Sequence, residues 1–212
     1  KKLKAFKQDC LIVLGGANAE IHMHDNIKFL NEHQDIDYIV YGDGEKPFSN
    51  LVLEYKKVRS NPEWLRLLKE VRIDGCRTIL DGKLMAGMPF DAVMEMDEVP
   101  SPYLMGLFDD LLQDPTLMPI IQNIRGCPYL CRYCVSGTQF GKIRNFSFER
   151  LKEEVYYLQE NAKNRFLRFS DDNFGIVQHD VDVANFIRSN FEEKKYPAGL
   201  KVYSAKKQTD RV

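Results

Sequence analysis

Three cysteines within one short stretch have the types and spacing that metal chemistry requires. Cys127, Cys131 and Cys134 follow a Cys-x3-Cys-x2-Cys pattern, with Tyr133 immediately before the last of them. Soft thiolate ligands select zinc, copper(I) or an iron–sulfur cluster. A four-iron cluster usually takes four cysteines, so a set of three would leave one iron with an open position. The pattern therefore predicts a reactive metal centre on this loop.

Two other interpretations of the same cysteines stay open on the residues alone. The loop could supply part of a zinc site, with Cys10, Cys76 or a histidine as the fourth ligand. The chain would then be a non-enzymatic zinc-binding interaction module, although no second Cys-x2-Cys or His-x3-His pair accompanies the first. The remaining alternative is three unrelated buried thiols, and buried thiols are also what we expect of Cys10 and Cys76.

The cysteine loop resembles the cluster loop of the radical S-adenosylmethionine (radical SAM) enzymes in its spacing, its aromatic residue and the apolar run at 118–124 before it. The resemblance implies that Cys127, Cys131 and Cys134 bind a 4Fe-4S cluster. It also implies that S-adenosylmethionine chelates the open iron and is cleaved reductively to a 5′-deoxyadenosyl radical, with Tyr133 near the adenine.

Polar residues follow the next two predicted strands, which span 165–170 and 200–204. In parallel barrels the active-site groups lie where strands end, at the carboxyl face. That rule makes Asp171, Asp172, Ser204 and Lys206 candidates for contact with S-adenosylmethionine, whose ammonium group suits an acidic partner. The alternative for either aspartate is capping of the helix predicted at 181–191.

The first part of the chain alternates predicted strands and helices, as in an α/β unit. Apolar strands are predicted at 10–14 and 37–41, ending in Gly15-Gly16 and in a Gly-Asp-Gly-Glu turn, with helices predicted at 19–32 and 47–58. This order resembles the latter half of the cobalamin-binding domain that precedes the barrel in one subgroup of radical SAM enzymes. Cobalamin is therefore a further candidate cofactor.

Cobalamin binding nevertheless lacks its usual sequence mark. The resemblance calls for an Asp-x-His-x-x-Gly loop whose histidine ligates cobalt, and this chain contains no such loop. His22 and His24, two residues apart near a predicted turn, favour a solvated position over metal ligation. Two explanations stay open. Either the chain covers the middle of a longer protein whose cobalt-binding loop lies upstream, or this domain binds no cobalamin.

The predicted fold class is α/β, with a partial doubly wound, Rossmann-like, cobalamin-type domain followed by the first part of a radical SAM partial (β/α)6 barrel. Residues 1–58 would form the first domain and 118–212 the barrel segment. Residues 59–117 would connect them, with short strands at 71–73, 78–80 and 83–85, an Asp-Gly turn at 81–82 and a short helix at 108–112.

Composition limits the partners. Lys and Arg number 30 against 31 Asp and Glu, for a net charge of -1, which offers no general attraction for nucleic acid. No apolar stretch reaches the roughly 20 residues that span a bilayer. Five cysteines without a disulfide framework suit a reducing cytoplasm. We expect a small-molecule substrate and an electron donor such as a flavodoxin or a ferredoxin.

The predicted function is radical chemistry started by reductive cleavage of S-adenosylmethionine, with cobalamin-dependent methyl transfer as the expected reaction if cobalamin binds. A radical SAM methylthiotransferase is an alternative. Such enzymes carry three more cysteines for a second cluster, and Cys10 and Cys76 cannot supply three.

Overall fold

The computed structural model describes residues 2–7, 9–16, 26–90, 93, 95–129, 131–134 and 142–206. The chain divides into two compact units, Lys1–Val93 and Met94–Val212. This boundary falls within residues 59–117, which the sequence predicts to connect two domains. The division into three parts stays a prediction. Within the described residues, no helix combines the length and the apolar character needed to cross a membrane.

The first unit is built on a sheet with the strand order β1-β2-β3-β4. Its elements, in chain order, are α1 Lys2–Phe6, β1 Val13–Leu14, α2 Asn26–Glu32, β2 Tyr38–Val40, α3 Glu45–Val58, α4 Trp64–Glu70, β3 Cys76–Leu80 and β4 Lys83–Ala86. Strands β1 and β2 are parallel, as predicted, and the other pairs are antiparallel. The predicted hairpin therefore extends this sheet.

The hairpin and the core of this unit have simple local causes. Asp81 and Gly82 both have positive φ, 48° and 73°, which is the backbone that a two-residue hairpin turn requires. Leu51 and Leu68 are fully buried, and the Tyr38 hydroxyl donates a hydrogen bond of 2.8 Å to the Leu68 carbonyl. The strand predicted at 71–73 is absent, because Val71 ends α4 with its N–H bonded to that same carbonyl.

The second unit contains a parallel sheet with the order β5-β8-β9 and a separate antiparallel pair, β6-β7. Its elements are a 3₁₀ turn at Met96–Glu98, α5 Asp109–Leu112, β5 Ile120–Ile121, β6 Ile124–Arg125, β7 Arg144–Asn145, α6 Phe148–Asn161, β8 Phe166–Phe169, α7 Gln178–Lys194 and β9 Gly199–Lys201. The apolar run at 118–124 predicts one buried strand before the cysteine loop, and that prediction is wrong: the run is broken into β5 and β6, which belong to different sheets.

The sequence predicts a helix at 148–161 with Ser147 as its N-cap, and helix α6 has those bounds. Its N-cap is Ser147, whose hydroxyl accepts a hydrogen bond of 3.1 Å from the Arg150 N–H. Leu151, Val155 and Leu158 lie on one face and are at most 1% exposed. This apolar face belongs to one core cluster with Ile121 of β5 and Leu167 of β8, so the helix packs against the parallel sheet.

Candidate cofactor site at the carboxyl ends of the parallel strands

The cysteine loop begins directly after β6. Gly126 carries a φ of 110°, which turns the chain out of the strand. Cys127 is 5% exposed, whereas Cys131 and Cys134 are partly exposed. The Cys134 N–H donates a hydrogen bond of 3.0 Å to the Cys131 carbonyl, which tightens the second half of the loop.

The donor set on this loop fits a soft metal or an iron–sulfur cluster. All five cysteines are free thiols, and three of them stand on one loop beside a strand end. In the part of the chain that the structure describes, however, no three Cys, His, Asp or Glu side chains are already gathered as a metal site. His22 and His24 lie outside the described residues. Ligation by the three cysteines thus stays a prediction.

Asn173 is a site residue that the sequence analysis missed. Its side chain is 1% exposed, and its Nδ2 amide donates a hydrogen bond of 3.1 Å to the Cys127 sulfur. The residue belongs to the loop that follows β8, in the same run as Asp171 and Asp172. Its place directly after a predicted strand, beside the two aspartates, is the sequence signal that could have indicated it.

Asp171 lies in the interior rather than at the solvent face. It is 1% exposed, and its Oδ1 accepts a hydrogen bond of 2.9 Å from the Asn123 N–H. Its Oδ2 has no partner among the described residues. Burial, helped by nearby Asp180, raises the pKa of Asp171 to about 7, although hydrogen bonds from the Asn123 and Ile124 amides act in the opposite direction. Asp172, by contrast, is exposed.

Asp180 is a second residue that the sequence analysis passed over. It is fully buried in the first turn of α7 and holds three groups around it. Its Oδ1 accepts from Asn123 Nδ2 at 2.6 Å, and its Oδ2 accepts from the Gly175 and Val177 amides at 2.9 and 3.1 Å. Helix α7 begins three residues earlier than predicted.

The capping role considered for Asp171 and Asp172 was wrong. The N-cap of α7 is Val177, and Asp180 at the third helical position supplies the side-chain contact instead. Asp171 is kept away from the helix end by its bonds to the backbone amides near β6.

Ser204 and Lys206 lie beyond β9, and both are exposed. Ser204 forms a parallel bridge with Phe174. Two backbone hydrogen bonds strengthen it, from Phe174 N–H to the Tyr203 carbonyl at 2.8 Å and from Ala205 N–H to the Phe174 carbonyl at 2.9 Å. The structure therefore brings the ends of β8 and β9 together. Tyr133, at 84% exposure, is also open to solvent.

No protein-family profile matches the chain. Among curated proteins, it is 28% identical over 209 residues to the 2-(S-pantetheinyl)-carbapenam-3-carboxylate methyltransferase of Streptantibioticus cattleyicolor, covering 95% of this chain and 29% of that enzyme. It is 26% identical over 220 residues to the cobalamin-dependent radical SAM methyltransferase TokK of Streptomyces tokunonensis, covering 100% of this chain and 30% of TokK.

Among solved structures, the fold resembles that of TsrM, a radical SAM methyltransferase from Kitasatospora setae. The structure of TsrM with tryptophan and the analogue aza-SAM superposes with a TM-score of 0.55 at 16% identity, covering 89% of this chain and 35% of TsrM. A second TsrM structure, with cobalamin and a 4Fe-4S cluster, gives a TM-score of 0.54 at 15% identity, covering 89% of this chain and 36% of TsrM.

These similarities extend along nearly the whole chain, which itself spans only 29% and 30% of the two curated relatives. The α/β unit followed by parallel strands agrees with the fold class predicted from the sequence. The chain is thus similar in sequence to cobalamin-dependent radical SAM methyltransferases and similar in fold to TsrM, in agreement with the resemblance that the cysteine motif carries.

Proposed function

We propose that this chain provides the cluster-binding part of a radical SAM enzyme. Cys127, Cys131 and Cys134 would hold the 4Fe-4S cluster, which supplies the electron for reductive cleavage of S-adenosylmethionine. The observation that carries the proposal is the place of the cysteine loop. It leaves the barrel segment directly after β6, and its first cysteine accepts a hydrogen bond from Asn173, in the loop that follows β8.

The exposed residues around this loop would bind S-adenosylmethionine. Asp172 offers a carboxylate for the ammonium group, because charge-assisted hydrogen bonds of this kind are strong. Tyr133 has an open aromatic face for the adenine, and Ser204 and Lys206 offer a hydroxyl and a cation at the end of the neighbouring strand. Asp171 would position the backbone beneath the site, since it is buried and bonded to the Asn123 amide.

Methyl transfer to a small molecule is the reaction that we propose for the whole protein. Two curated relatives are named as methyltransferases, and one of them is named as cobalamin-dependent. Cobalamin, if bound, would supply the methyl-carrying cobalt, and this chain contributes no Asp-x-His-x-x-Gly ligand for it. A flavodoxin or a ferredoxin would serve as the electron donor.

A cysteine comparison tests the proposal. The full-length protein, reconstituted anaerobically with iron and sulfide, should show the broad visible absorption of a four-iron cluster. Cys131→Ala should abolish it, because two thiolates cannot replace three in holding the cluster. Cys10→Ala is the matched control and should retain it, since Cys10 belongs to the other unit. Equal absorption in the two variants, or none in the wild type, would contradict the proposal.

A further inference from the structure

The Cys127 sulfur has a hydrogen-bond donor that is neither backbone nor water. Asn173 Nδ2 lies 3.1 Å from it, and both residues are at least 95% buried, with exposures of 1% and 5%. A neutral thiol is a weak acceptor, whereas a thiolate is a strong one. A buried amide that donates to this sulfur is therefore most useful when the sulfur carries negative charge, as it does when it ligates iron.

The Asn173 amide is held in place by its surroundings. The next residue, Phe174, is bonded through its N–H and its carbonyl to the segment beyond β9. Asp180 fixes the Gly175 and Val177 amides on the same side, and before Asn173 the Asp171 carboxylate accepts a hydrogen bond from the Asn123 N–H. Because the backbone around Asn173 is tied at both ends, its amide meets the sulfur without reorganisation, which is how supporting residues orient metal ligands.

The amide is also a costly group to bury for packing alone. The Oδ1 atom of Asn173 has no hydrogen-bond partner among the described residues. Burying the amide to make one hydrogen bond to sulfur therefore leaves one oxygen unsatisfied, which costs free energy. An apolar residue of similar size would fill the same space without that cost. Among the described residues, the hydrogen bond to Cys127 is therefore the only contact of the Asn173 side chain that explains why an amide is buried at this position.

From these contacts we infer that Asn173 is a positioning residue that tunes the reduction potential of the cluster through Cys127. This inference rests on the proposed function. Hydrogen bonds to the sulfurs are among the factors that set iron–sulfur potentials. A donor stabilises the reduced cluster more than the oxidised one, because the reduced form places more negative charge on sulfur. Asn173 should therefore raise the potential and make the cluster easier to reduce.

The test is a redox titration of the reconstituted full-length protein, followed by electron paramagnetic resonance of the reduced cluster. Asn173→Leu keeps the bulk of the side chain and removes the donor, and it should bind iron but reduce at a lower potential. A tenfold weaker equilibrium for reduction corresponds to a shift of about 59 mV for one electron. Asn190→Leu is the matched control: it also removes a buried amide of this unit, one bonded to Gln159 and Tyr196 and not to sulfur.

The outcomes separate the inference from the proposed function. A wild-type potential in Asn173→Leu, with the cluster present, overturns the inference alone. A lower potential in Asn173→Leu but not in Asn190→Leu supports it. Should the leucine variant fail to fold, Asn173→Ala removes the donor without adding bulk or charge. A wild-type potential in that variant overturns the inference equally. A wild type without iron overturns the proposed function, and the inference with it.

Discussion

Each unit has a buried aspartate next to a parallel strand, and the charges of these two aspartates have opposite surroundings. Asp37 stands before β2 in the first unit and is 1% exposed. Lys4 Nζ lies 2.6 Å from its Oδ1 and Lys69 Nζ lies 4.0 Å away, while the Ile12 N–H donates to its Oδ2 at 2.8 Å. Asp171 stands after β8 in the second unit, equally buried, and has backbone amides and a second acid, Asp180, around it.

The difference separates a structural carboxylate from one at a site. Both oxygens of Asp37 are bonded and its charge is balanced by two lysines, so it contributes to the stability of the fold. Asp171 keeps one oxygen without a partner among the described residues, and so do the side chains of Asn123, whose N–H donates to Asp171, and of Asn173. Unsatisfied buried oxygens cost free energy. Their concentration near the carboxyl end of β8 coincides with the proposed cofactor site.

The largest effect that this comparison predicts is for Asp37→Ala. It removes the partner of two lysines and of the Ile12 N–H at once. Loss of one side of a buried ion pair costs roughly 3–5 kcal/mol, and since Lys4 and Lys69 are partly exposed we expect about 3 kcal/mol. Denaturant unfolding, with hydrogen exchange of the β1 and β2 amides to locate the loss, measures it.

A matched variant in the same unit calibrates that loss. Asp81→Asn removes the charge from the pair between Asp81 and Arg66, whose side chains are more than half exposed, and asparagine tolerates the positive φ of this turn. Exposed ion pairs contribute little to stability, so this variant should unfold nearly as the wild type does. Similar losses in the two variants would remove the distinction between a buried, balanced carboxylate and an ordinary surface one.

Asp171→Asn is expected to increase the free energy of unfolding, by less than Asp37→Ala decreases it. The amide keeps an oxygen to accept the Asn123 N–H and cannot ionise. The pKa of Asp171 is about 7 in the folded chain, above its ordinary value of 3.8. The folded chain therefore loses stability when Asp171 ionises. The contribution of the protonated carboxyl group is fully present below about pH 4 and is lost as the pH rises through 7.

The pH profile of that variant provides the measurement. Each pKa unit corresponds to about 1.4 kcal/mol, which sets an upper bound of roughly 4 kcal/mol, and relaxation around the charge makes about 2 kcal/mol at pH 8 the expected gain. The gain should shrink towards zero near pH 4. A difference between variant and wild type that does not change between pH 4 and 8 would show that Asp171 is not protonated by its burial.

Local patterns could predict part of this architecture. Helix α6 matches the predicted bounds 148–161, because Ser147 caps it and its apolar spacing is regular. The hairpin turn at Asp81 and Gly82 could be predicted equally well, because these two residues specify it. The break between β5 and β6 was not, because it depends on Asp171 and Asp180, some 48 and 57 positions away, bonding to Asn123.

The site was predicted less completely than the fold, for a related reason. Asp171 and Asp172 are neighbours of the same type, and only the three-dimensional structure shows that one is buried and the other exposed. Asn173 carries no charge and belongs to no motif, so its contact with Cys127 could be found only from coordinates. A cysteine spacing identifies the kind of centre, whereas its supporting residues depend on how distant strand ends meet.

The measurement that tests the central claim most directly is the metal content of the full-length protein purified without oxygen. Elemental analysis for iron, zinc and cobalt, with acid-labile sulfide, requires no knowledge of the substrate. The proposed function predicts about four irons and four sulfides per chain for the three-cysteine loop. Cobalt in equal amount to the protein would add support for cobalamin-dependent methyl transfer. One zinc per chain with no iron would contradict the proposed radical SAM chemistry and favour the zinc-binding interaction module.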